Sequence, residues 1–294
     1  MVVQNVAEKS DILPVIRKAT AALLSMLIFL ELPVILVFFC TKEVLLDENF
    51  YLKELSTRNI YSLSKEWVSG VAPTPYNYLV SSLTPTYLES QSKILLRNFF
   101  SYLKKEKNSL ELIIELPTPN SFDVDRFGDG IKTQIPPGLV PDKINLSDIL
   151  FSDYQTRTAL EQVRSNIEIL NLSIFIGGGF IFVQTILITL LEFDFKKAAR
   201  KVGIALTASS ASTTFLSLIM YFLFPQVIYG LFPEQYTNIP LYSSLILIAG
   251  DIIAEISSRI FLISLFILLL SAALLALSRK AENQPEAQKK MLRT

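Results

Sequence analysis

Four apolar runs punctuate the chain, and each is long enough to cross a lipid bilayer, which takes roughly 20 mainly apolar residues in helical form. They cover 19–40 (ATAALLSMLIFLELPVILVFFC), 171–191 (NLSIFIGGGFIFVQTILITLL), 203–224 (GIALTASSASTTFLSLIMYFLF) and 260–277 (IFLISLFILLLSAALLAL). Backbone groups in lipid find no water, so each run predicts a helix that satisfies its own N–H and C=O groups. The first run is too long for the apolar stretch of a usual secretory signal, and no small-x-small site follows it, so it reads as a retained anchor. Residues 241–258 are also nearly apolar and lead into the fourth run without a proline. They predict a long or bent outer extension of that helix, packed against an external domain, and no fifth span.

Between the first two runs lies 41–170, where the pattern changes. Tyr51, Leu55, Ile60 and Leu63 fall near one helical face. Thr84-Pro85 is a side-chain cap followed by proline at a first helical position, and Leu88, Leu95, Phe99 and Leu103 then form an apolar stripe. Lys104, Lys105 and Lys107 suit the end of that helix. Leu110, Leu112, Ile114 and Leu116 alternate with Glu111 and Glu115, which predicts a half-buried strand. A loop rich in Pro, Gly and Asp covers 117–141, and Leu160, Val163, Ile167 and Leu170 mark a helix running on into the second span. The ring residues Tyr51, Tyr61, Trp67, Tyr76, Tyr78 and Tyr87 are expected to serve mainly as core.

The predicted architecture is membrane α-helical. Four transmembrane helices carry a mixed, mostly helical α+β external domain, 41–170, between helices one and two. The other segments are 1–18 (N-terminal), 192–202 (basic loop), 225–259 (external loop and outer helical extension) and 278–294 (tail).

Charge orients this layout. The 27 Lys and Arg balance 27 Asp and Glu, so position carries the information and the total does not. Lys9, Arg17 and Lys18 precede the first span; Lys196, Lys197, Arg200 and Lys201 separate the second and third; Arg279, Lys280, Lys289, Lys290 and Arg293 follow the fourth. The stretch 225–240 has no Lys or Arg. The positive-inside bias then puts both termini in the cytoplasm of a plasma-membrane protein and 41–170 outside. The balance gives no ground for a nucleic-acid partner.

Composition narrows the chemistry. Apolar residues make up 51% of the chain and mean hydropathy is +0.43. There is no histidine and one cysteine, Cys40. Histidine-based catalysis, Cys-His pairs, structural zinc and internal disulfides are excluded by residue type. No catalytic residue, cofactor or metal site is predicted. Asp123, Asp125 and Asp129 faintly resemble a calcium loop, but Phe127 stands where an oxygen ligand belongs and Gln134 where the bidentate Glu belongs.

Five residues are the functional candidates. Glu31 lies mid-span, two residues before Pro33; a carboxylate there costs roughly 3 kcal/mol unless it is paired or neutralised. Pro33 frees the Phe29 carbonyl one turn back, which a protonated Glu31 is placed to help satisfy. The candidate neighbours of Glu31 are Gln184 and Thr185 in the second span and the hydroxyls of the third. Asp251, Glu255 and Arg259 recur every four residues, a stripe that reads as an ion-pair ladder facing the external domain. Span three is crowded with Thr207, Ser209, Ser210, Ser212, Thr213, Thr214 and Ser217, which reads as close helix packing.

The segments KEWVSG, LTPTYLESQ, FFSYLKKEKNSLELIIELP, IPPGLVP and IGGGF, in that order over about 59–180, resemble a set of uncharacterised prokaryotic four-span membrane proteins. That likeness implies a fold and no activity. In topology alone the chain is similar to ABC-type permease subunits that transmit force to an outer domain. The expectation is a non-enzymatic membrane protein whose external domain binds or scaffolds an envelope partner. The alternatives are a transport or mechanotransmission subunit and a membrane enzyme acting on a lipid-linked substrate. The expected partners are the bilayer, an envelope or membrane protein and, as an option, a second copy of the chain.

Overall fold

The computed structural model describes residues 2–71, 80, 83–115, 143–233 and 237–291, with backbone alone at 2–12, 149–150 and 279–291. In chain order the elements are α1 (Val2–Leu45), α2 (Glu48–Thr57), α3 (Ile60–Val71), α4 (Pro85–Leu103), β1 (Ile113–Glu115), β2 (Lys143–Asn145), α5 (Leu146–Leu150), α6 (Tyr154–Glu192), α7 (Phe195–Leu231) and α8 (Pro240–Met291).

Four stretches are long and apolar enough to span a membrane: Leu13–Leu45, Tyr154–Glu192, Phe195–Leu231 and Pro240–Ser278. Their most apolar windows are only 6–22% buried inside the protein. Apolar surface left outward on this scale needs lipid as its solvent. The chain is a multi-pass membrane protein. Each helix also outruns the bilayer: the 39 residues of α6 rise about 58 Å, against roughly 30 Å of hydrocarbon.

The chain divides into two compact units. One comprises Met1–Glu43, Leu170–Gln226 and Ile252–Thr294; the other comprises Val44–Ile169 and Val227–Asp251.

The first unit is built from the four apolar helices. Ile28, Ile188, Ala198 and Ala205 form a buried cluster, with Leu24, Val202 and Leu206 against it. Gly177 lies so close to Ile35 that an added Cβ would fall 2.7 Å from its Cγ1.

The second unit corrects the expected mixed α+β external domain. Among its described residues the regular elements are helices and two three-residue strands, paired antiparallel with Ile113 opposite Asn145 and Glu115 opposite Lys143. Of the Leu110–Leu116 alternation, the described residues form strand only at Ile113–Glu115, and the backbone bonds show why residues 110–112 do not join it. Leu112 N–H donates to Ser147 Oγ at 2.8 Å, and Leu112 O accepts from Leu146 N–H at 2.7 Å. The start of α5 thus takes the bonds that a sheet partner would have used. Nor is the unit simply an insertion between helices one and two, because Val227–Asp251 belongs to it. Ile246 and Ile248 of α8 are buried.

The helices of this unit follow local rules. Asp47 caps α2 through bonds from Asn49 and Phe50 N–H, and Thr84 Oγ1 caps α4 by accepting from Tyr87 N–H at 3.1 Å. The segment expected to be one helix from Tyr51 to Leu63 breaks at Asn59, which takes a left-handed φ of 53°. Asparagine tolerates that conformation better than most residues. At the end of α4, Glu106 N–H bonds Ser101 O and Lys105 N–H bonds Tyr102 O, the pair of bonds that closes a Schellman motif. The core gathers Leu46, Phe100, Tyr102, Leu103 and Ile167, with Tyr51, Leu96, Phe99, Leu110 and Leu160 around it. Tyr61 is also buried, whereas Trp67 is 44% exposed and so does not serve as core.

Candidate functional site

Within the first unit, α1 and α6 bring together the two polar side chains expected to meet. Gln184 Nε2 donates to both carboxylate oxygens of Glu31, each at 3.0 Å. Gln184 is only 5% exposed, and its Oε1, though buried, accepts no hydrogen bond among the described atoms. The pair therefore satisfies the acid and leaves one amide oxygen over.

The carbonyl freed by Pro33 finds a different partner from the one expected. Ser209 Oγ of α7, fully buried, donates to Phe29 O at 2.9 Å. Glu31 is left to Gln184, and the third helix supplies the repair. This is the usual way a proline is tolerated in lipid: a neighbouring helix re-satisfies the backbone group.

Three of the α7 hydroxyls reach two neighbouring helices, and Ser210, Ser212, Thr213 and Ser217 donate to carbonyls of α7 itself. Ser209 faces α1, whereas Thr207 donates to Ser271 at 2.9 Å and Thr214 shares a 2.8 Å bond with Ser264, both on α8. A Cβ placed on Gly203 would meet Leu275. These three pairs, 203 with 275, 207 with 271 and 214 with 264, step in opposite directions by equal amounts. They define one antiparallel seam with a seven-residue repeat. On α8 the repeat is Ser257, Ser264, Ser271 and Ser278, of which the first three are buried. Sequence reasoning missed this serine series, although its constant spacing was legible. Hydroxyls at such seams let helices approach closely, each worth about 0.6 kcal/mol on average.

The Asp251, Glu255 and Arg259 stripe forms only part of the expected ladder. Asp251 turns to Arg58, whose Nε donates to its Oδ2 at 3.0 Å, while Glu255 accepts from Arg259 Nε at 2.8 Å. Arg58 is the residue that reasoning from sequence missed, since its partner lies 193 positions away. Beside Asp251, Glu54 has its carboxyl pushed above the usual carboxylate range, first by burial and then by the charge and hydrogen bond of Asp251. The second unit thus holds a guanidinium between α2 and α8 with two carboxylates near it.

The three carboxylates that a membrane enzyme would have to share, Glu31, Asp251 and Glu255, each keep a partner of their own. Among the described residues no three Cys, Asp or Glu gather where they could hold a metal ion. The Asp123, Asp125 and Asp129 series, the Pro-rich 117–141 loop and the rings of Tyr76 and Tyr78 lie outside the described residues. No protein-family model, curated protein or solved structure matches the chain.

Proposed function

We propose that the protein is a non-enzymatic scaffold of the plasma membrane, whose second unit faces outward and binds a protein partner in the cell envelope. Both termini lie in the cytoplasm in this reading, as the Lys and Arg flanks of the spans favour. The observation that carries the binding role is on α3. Trp67 and Val71, one turn apart on the same helical face, are 44% and 59% exposed. Large exposed apolar side chains are what a partner surface covers, and tryptophan is enriched where binding energy concentrates. Titratable side chains in this unit serve to hold elements together, as Arg58 does with Asp251 and Lys143 with Glu115.

The experiment places a photo-crosslinking side chain at Trp67 or Val71 in the full chain within native membranes. Discrete protein adducts from both positions, absent from a control at lipid-exposed Leu190, are the expected result. Adducts to lipid alone would remove the proposal. The orientation is read separately in a Cys40→Ser background. An impermeant maleimide should label Asn108→Cys in intact cells and Lys197→Cys only after permeabilisation.

A second reading has its own observation. Glu31, held by Gln184 between two apolar helices, is the kind of intramembrane acid that marks transport or coupling pathways. A transport or mechanotransmission subunit would lose activity in Glu31→Gln. Full activity of that variant in flux and coupled ATPase assays would end this reading.

A further inference from the structure

We propose that the short turn between α6 and α7 is a docking surface for anionic lipid headgroups. Only Phe193 and Asp194 separate the two helices, so the turn stands at the ends of two apolar spans. Phe193 and Phe195 are 82% and 77% exposed, with Lys196, Lys197 and Arg200 exposed beside them and Lys18 exposed on α1.

The charges are not placed for the helix. Lys196, Lys197, Arg200 and Lys201 occupy the first two turns of α7, whose first turn has no acidic residue. Cations at a helix N-terminus oppose the macrodipole. Asp194 caps that end by accepting from Lys196 N–H at 2.9 Å. Lys201 pairs with Glu192, and Arg17 bonds Leu191 O while its guanidinium lies 4.3 Å over the Phe193 ring. Lys197 reaches Asp194 only at 4.0 Å and with its side chain 71% exposed, so its charge faces solvent.

Position and charge select the occupant. Rings at the end of a span sit at the headgroup level, and basic residues beside them meet the phosphates of anionic lipid. Neutralising headgroups would offset the repulsion among the α7 cations and their conflict with the helix dipole.

The full chain is placed in nanodiscs of phosphatidylcholine alone or of phosphatidylcholine and phosphatidylglycerol in equal parts. Thermal unfolding and retained-lipid composition are then measured. Enrichment of phosphatidylglycerol around the wild type, a higher Tm in the anionic discs and loss of both at high salt are expected. The triple variant Lys196→Gln/Lys197→Gln/Arg200→Gln should lose about tenfold or more of that preference. Lys93→Gln/Lys104→Gln, at exposed sites of the second unit, should keep it. Phe193→Ala/Phe195→Ala, which leaves every charge in place, should weaken retention of both lipids and keep the anionic preference. Equal retention of the two lipids by the wild type, or an unchanged preference in the triple variant, would overturn the proposal.

Discussion

Three consecutive glycines in α6 provide a sharp test, because the structure gives them different surroundings. A Cβ on Gly177 falls 2.7 Å from Ile35 Cγ1 and 2.8 Å from its Cδ1, whereas one on Gly178 or Gly179 meets nothing within 4 Å. Ile35 Cδ1 can swing away about its outer torsion, but Cγ1 is fixed by χ1, which is stiff for a β-branched residue in a helix. Gly177→Ala must therefore part α1 from α6 or force Ile35 off its rotamer, a cost of about 1–3 kcal/mol. In water a helical Gly→Ala change would return up to about 1 kcal/mol through propensity. In a bilayer the dissociated helices stay helical, so that return largely vanishes. Gly178→Ala and Gly179→Ala should then fall within about 0.5 kcal/mol of wild type, and only Gly177→Ala should be destabilised. Reversible unfolding in mixed micelles, followed by circular dichroism or by Trp67 fluorescence, measures all three. If Gly178→Ala or Gly179→Ala costs as much as Gly177→Ala, the outward face of α6 is packed against another helix and its assignment to lipid is wrong.

Four further perturbations test other links. Gln184→Leu strands the Glu31 carboxylate and should cost about 2 kcal/mol or more, most of it recovered in Glu31→Leu/Gln184→Leu when both are unfolded in micelles. A double-mutant cycle of Thr214→Ala and Ser264→Ala should show a coupling of about 0.6 kcal/mol, and no coupling would deny the seam between α7 and α8. Lys105 holds a left-handed φ of 62° at the end of α4. Lys105→Gly removes a strain of about 1 kcal/mol and loses only an exposed ion pair with Glu168, so a small rise in Tm is expected. Glu54 binds its proton more tightly folded than unfolded, so its contribution is present at low pH and is lost as pH rises from the ordinary value of 4.5 through the raised one. Glu54→Gln should be more stable than wild type near neutrality and should lack that decline, whereas parallel pH–Tm curves would refute the assignment.

The four spans were legible because lipid imposes one rule everywhere: apolar residues outward and backbone groups paired within the helix. The Thr84-Pro85 start of α4 was legible for a similar reason, since capping is decided by residues three positions apart. The strand expected at Leu110–Leu116 begins only at Ile113, because alternation reports exposure on two faces and says nothing of the pairing partner. Leu112 found its partners in Ser147 and Leu146, on a helix start that periodicity could not connect to it. Arg58 with Asp251 was hidden in the same way. Arg58 looks like an ordinary solvated charge, and only the fold makes it a neighbour of Asp251.

Phe29 shows how a need can be read from sequence while its answer cannot. Proline at position 33 removes one N–H, so the orphaned carbonyl four residues earlier follows from covalent geometry alone. The nearest polar group, Glu31, was a reasonable candidate on the same helix, but its carboxylate accepts from Gln184. The missing donor came from Ser209, 180 positions away, among seven hydroxyls that looked alike in sequence. What distinguishes Ser209 is its face: Thr207 and Thr214 point along the seam to α8, while Ser209 is turned toward α1. Ser209→Ala should therefore destabilise the wild type by about 1 kcal/mol and cost much less in a Pro33→Ala background. There the backbone of α1 can bond to itself and the serine has nothing left to repair. Equal losses in the two backgrounds would mean that Ser209 acts by packing alone, and that the proline is satisfied by some other route.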